Sequence, residues 1–128
     1  MIGYVTLGTN DREKSAKFYD ALCGELGVGR MMENEQFIAW GKPDGGAGIG
    51  LTKPFDGNAA SVGNGVMVAL EAKDEGQVQK LYDLALANGG TSEGAPGPRP
   101  EYHEHYYGAY FRDPEGNKLC VACHSAPG

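Results

Sequence analysis

The chain has 128 residues, enough for one domain of ordinary size and too few for two independent ones. Its 21 glycines come without a Gly-X-Y period and beside 41% hydrophobic residues, which excludes collagen, disorder and a helical bundle, since glycine inside a helix costs about 1 kcal/mol. A net charge of −6 leaves no basic stripe for nucleic acid, and no apolar run reaches the roughly 20 residues that a membrane helix needs.

In chain order, Tyr4 to Leu7 reads as a short strand. A helix is expected over 11–26, opened by Asn10 with Glu13 and burying Ser15, Phe18, Tyr19, Leu22 and Leu26 at helical spacing. Gly27 ends it. Strands are expected over 28–33, 36–41 and 47–53, followed by a connector over 54–64. The second half starts with a strand from Met67 to Leu70 and a helix over 74–88, capped by Asp74 with Gln77. That helix buries Val78, Leu81, Tyr82 and Ala85 and stops at Gly89-Gly90. Strands over 91–94, 106–112 and 117–124 follow, with a loop over 94–105 and a turn at Asp113-Pro114-Glu115-Gly116-Asn117.

The halves repeat at an offset of 63. Val5 matches Val68, Leu7 Leu70, Asp11 Asp74, Lys17 Lys80, Tyr19-Asp20 Tyr82-Asp83, and Gly27 Gly90. The fold is therefore read as α+β, one domain over 1–128 made of two tandem βαβββ modules, about 1–56 and about 64–128. With no basic leader at the N-terminus and an odd number of cysteines, the chain is read as cytoplasmic.

The segments YVTLGTND, SAKFYDAL, GVMVAL and YFRDPEGNKL resemble the glyoxalase / bleomycin-resistance / extradiol-dioxygenase superfamily, also called vicinal oxygen chelate. The resemblance spans nearly the whole chain. It implies mixed sheets curving around a cavity, and a homodimer. In metal-dependent members, one ligand comes from each first and last strand of the two modules. The positions that match here are Tyr4, Gly50, Met67 and Cys120, none of them a histidine or carboxylate. No metal is expected at the usual positions, because glycine and methionine are no ligands for a hard cation and thiolate suits soft or borderline metals. These four residues, with Trp40 and Tyr107 as candidates for stacking, make up the expected ligand cavity.

Tyr102-His103-Glu104-His105-Tyr106 is the most chemical-looking stretch elsewhere. Two histidines at i and i+2 of an extended segment point the same way, so His103 and His105 are candidates for proton transfer or a displaced divalent metal site. Cys120-Val121-Ala122-Cys123-His124 matches a haem-attachment pattern, but residues 120 and 123 of a strand face opposite sides. A Cys120 nucleophile is a further candidate. Arg99 and Arg112 are cations available to an anionic ligand, with Arg112 read first as a partner of Asp113.

Three functions stay open. The chain binds a small organic molecule in the cavity without the usual metal. Alternatively, it is a lyase, isomerase or dioxygenase with a divalent metal near His103 and His105. The third reading is a structural or partner-binding role. Nucleic acid and membrane are not expected partners, and the resemblance does not decide whether the chain is an enzyme.

Overall fold

The computed structural model describes residues 1–124; the last four positions of the second expected module, 125–128, lie outside the described residues. The chain runs β1 (Tyr4–Gly8), α1 (Arg12–Glu25), β2 (Gly29–Glu33), β3 (Phe37–Gly41) and β4 (Gly48–Thr52). It then repeats as β5 (Val68–Glu71), α2 (Glu75–Ala87), β6 (Thr91–Pro98), β7 (Tyr107–Arg112) and β8 (Lys118–Cys123). Each half forms a four-stranded mixed sheet, ordered β1-β4-β3-β2 and β5-β8-β7-β6. The first strand of each module lies parallel to its last, and the remaining pairs are antiparallel.

The helices begin and end alike for the same physical reasons. Asp11 caps α1 by accepting the Lys14 N–H, and Asp74 caps α2 by accepting the Gln77 N–H. This corrects Asn10 as the first cap. Asn10 instead exchanges hydrogen bonds with the Ala60 backbone and donates to the Glu115 carboxylate. At the other end, the N–H groups of Val28 and Gly90 donate to the Cys23 and Ala85 carbonyls. This arrangement needs a left-handed residue between, supplied by Gly27 and Gly89. Gly90, paired with Gly27 in the sequence repeat, has a different job. A Cβ there would lie 2.7 Å from the Ala85 oxygen and 2.8 Å from the Arg112 oxygen.

Strand β6 runs on to Pro98, beyond the expected strand end at 94. Prolines 96 and 98 read as loop in the sequence, but β6 is an outer strand broken by register shifts, where prolines are tolerated.

One face of each sheet is covered by helices. Leu7, Ile38, Trp40, Ile49 and Leu51 from the first sheet and Ala109, Phe111, Leu119, Val121 and Cys123 from the second join residues of both helices in one buried cluster. Phe18 of α1 meets Phe111 edge to face across the modules, with ring centroids 6.0 Å apart. The Tyr19 hydroxyl donates to the buried Asp113 carboxylate, which also accepts from the backbone of Glu115 and Asn117 and from the Asn117 side chain. The DPEGN turn is thereby tied to the first helix. Among the described residues, no helix is long and apolar enough to cross a membrane.

Candidate functional site

Strand alternation sends the remaining side chains to the opposite, open face of each sheet. In the first sheet these positions include Tyr4, Thr6, Phe37 and Gly50. Tyr4 is 70% exposed. Gly50 is buried, and a Cβ built on it would stand 2.9 Å from the Phe37 ring and 3.2 Å from the Thr6 methyl. Glycine here leaves room for the phenyl ring of the neighbouring strand to come close.

In the second sheet, Tyr110 of β7 and Cys120 of β8 are direct partners on the open face, next to Arg112 and Lys118, which pair one step along. Tyr106 folds back over Gly108, where a Cβ would come within 2.9 Å of its ring. Its hydroxyl then lies 3.2 Å from that of Tyr110 and 3.9 Å from the Cys120 sulfur. Burial and the hydrogen bond to Tyr110 push ionisation of Tyr106 well up, and burial likewise raises the Cys120 thiol. The Tyr106 hydroxyl and the Cys120 thiol therefore stay protonated near pH 7. The two tyrosine hydroxyls can orient a polar atom of a bound molecule, whereas the Cys120 thiol is buried beneath them and is not an activated thiolate. Arg99 and Lys118 place their cationic groups 5.6 and 5.9 Å from the Tyr110 ring centroid.

Four of the six residues expected in the cavity, Tyr4, Gly50, Met67 and Cys120, belong to these open faces or border them. Trp40 and Tyr107 do not, a correction that follows from strand parity. Trp40 is 1% exposed on the helix-covered face, where its indole N–H donates to Asp20 of α1. Tyr107 packs against the core on the helix side, and its hydroxyl accepts from Gln79 of α2.

His103 and His105 precede β7. Their ring centroids are 6.1 Å apart, and His103 Nδ1 accepts the His105 N–H at 3.2 Å. His124, noticed in the sequence only as the end of the haem-attachment pattern, stands 5.9 Å from His103 and 5.1 Å from Tyr106, measured between ring centroids. The signal was available. Extending the register set by the DPEGN turn places residue 124 opposite 106. Lys118 was missed for a similar reason, since only its pairing with Arg112 brings it to the same face. Among the described residues, no group of three or more His, Cys, Asp or Glu side chains is arranged to hold a metal ion. The donors at the four family ligand positions fit one poorly too: a phenol, no side chain, a thioether and a buried neutral thiol.

The family model for the Glyoxalase/Bleomycin resistance protein/Dioxygenase superfamily matches residues 1–121. Comparison with curated proteins gave no match. Among solved structures, a glyoxalase/bleomycin resistance protein from Albidiferax ferrireducens T118 is similar at 38% identity and a TM-score of 0.88, over 98% of this chain and 99% of that one. A glyoxalase-related enzyme from Fulvimarina pelagi (23% identity, TM-score 0.74, 96% and 87% covered) shares the fold. So does a lactoylglutathione lyase from Agrobacterium tumefaciens (19%, 0.67, 96% and 92%).

Proposed function

The chain belongs to the glyoxalase/bleomycin resistance protein/dioxygenase superfamily, and on that basis we propose that it binds a small organic molecule on the open face of its second sheet, with no metal at the family's usual positions. The observation that carries this reading is the aromatic filling of both last-strand positions. Phe37 covers Gly50, and Tyr106 with Tyr110 covers Cys120. Space that a metal-ligating side chain would need is occupied by rings. The surface left is lined by aromatic rings, with the Tyr106 and Tyr110 hydroxyls to orient a ligand.

A displaced metal site would need a third donor beside His103 and His105. The ring nearest to His103 besides His105 is His124, yet these imidazoles meet edge to face and hold no common centre. The geometry therefore favours binding over metal-dependent chemistry at this place.

A second copy of the chain is the proposed partner. Ile2, Tyr4, Met31, Met32 and Met67 each leave apolar surface exposed, which water penalises. Ile2 and Met67 border an apolar cleft of about 540 Å³ between β1 and β5. Light scattering after gel filtration should give twice the chain mass.

The reading is tested by a thermal-shift screen of metabolites and drugs with EDTA present. At least one compound should give a saturable shift that weakens in Tyr110→Ala. If no compound shifts the protein, the binding reading fails and a structural role takes its place.

A further inference from the structure

We propose that the bound molecule is a small carboxylate with an apolar body, held by Lys118; this rests on the binding reading above and names its ligand class. A cleft of about 610 Å³ lies at the end of the open face, between the 62–67 turn and the facing ends of β7 and β8. Its walls are Val62, Val66 and Met67 on one side and Arg112 and Lys118 on the other, with no acidic side chain in the lining. Such a concentration of positive charge is unexpected on a chain with a net charge of −6.

The charge balance within the cleft selects a monoanion. Arg112 spends its Nε on Glu93 and one terminal nitrogen on the Gly116 carbonyl, so its charge is already matched at the rim. Lys118 has no carboxylate within ion-pair distance among the described residues; its ammonium instead rests 5.9 Å from the Tyr110 ring centroid. Glu93 also feels Lys118 at longer range, so the two cations share this carboxylate and keep a net positive charge facing a wall of Val62, Asn64, Val66 and Met67. A carboxylate on Lys118 with its hydrocarbon part against Val66 and Met67 satisfies both surfaces. Tyr110, two residues from Arg112 and on the same face, extends the same strip.

The test is an NMR titration of the isotope-labelled protein at low salt with benzoate and, separately, benzylamine, which carries a similar ring with the opposite charge. Benzoate should shift the amides of 62–67, 110–112 and 118–120 in a saturable way, and benzylamine should not. Lys118→Gln should weaken benzoate roughly tenfold, the effect of losing one charge-assisted contact, whereas Lys118→Arg should retain it. Equal binding of benzylamine, or benzoate binding unchanged in Lys118→Gln, overturns the carboxylate assignment and leaves binding at the open face standing. If neither probe binds, the assignment is also overturned, and the compound screen then decides the broader reading independently.

Discussion

The phenyl ring of Phe37 lies over Gly50 so closely that no side chain fits beneath it unless the ring moves. Gly50→Glu, which restores a carboxylate at the family's ligand position, should therefore lower stability by roughly 1–3 kcal/mol. Phe37→Ala in the same chain should recover part of that loss. Added Zn²⁺, Ni²⁺ or Mn²⁺ should not raise the melting temperature of Gly50→Glu, because Tyr4, Met67 and Cys120 still offer no suitable donor set. A metal-dependent rise would show that one carboxylate completes a site.

Gly89 and Gly90 adjoin in sequence but differ in cause. Gly89→Ala meets only the left-handed backbone penalty of about 1–2 kcal/mol. Gly90→Ala drives a methyl into two backbone oxygens and the Phe18 ring, so it should cost about 3 kcal/mol or more. Urea denaturation of both variants checks the order.

Tyr19→Phe removes the hydroxyl that joins α1 to the DPEGN turn. Hydrogen bonds to a charged group contribute about 1.5–3 kcal/mol, and the loss should fall in that range. Asp113 keeps its bonds from Glu115 and Asn117, so unfolding should stay a single transition. Two separated transitions would mean that this one contact couples the modules.

Much of this was legible in the sequence. Periodicity located both helices and the Asp74 cap, because these are local properties, while the first cap falls one residue past the expected Asn10, on the Asp11 that the repeat pairs with Asp74. Parity, applied to β3 and β7, also puts Trp40 with Ile38 and Tyr107 with Ala109 and Phe111. The aromatic character of Trp40 and Tyr107 drew them to the cavity, when alternation with their apolar neighbours already placed them against helices. What no local pattern carries is contact between distant segments. Tyr19 with Asp113, Phe18 with Gly90, and the approach of the 62–67 turn to Lys118 depend on how the two modules and the connector pack.

Stability should fall at alkaline pH. Burial pushes the Cys23 thiol up to about 12, and Tyr19 and Tyr106 also ionise later than usual, chiefly through burial. With folded values above unfolded ones, the folded state holds more protons. The contribution is fully present below about pH 9, where a free thiol begins to ionise, and is lost progressively above it as the tyrosines follow near 10. Because all three cysteines are buried, a thiol reagent at pH 8 should label them slowly in the folded protein and completely in urea. Rapid labelling of Cys120 in the folded state would contradict a closed, neutral thiol beneath Tyr106.

The central claim is metal-independent binding at the open face of the second sheet. Its most direct measurement is NMR mapping of the strongest compound from the thermal-shift screen, with EDTA present throughout. The account predicts saturable binding under EDTA, with perturbations centred on Tyr110, Cys120 and Met67. Binding abolished by EDTA, restored by Zn²⁺, Ni²⁺ or Mn²⁺ and centred on His103, His105 and His124 would contradict it.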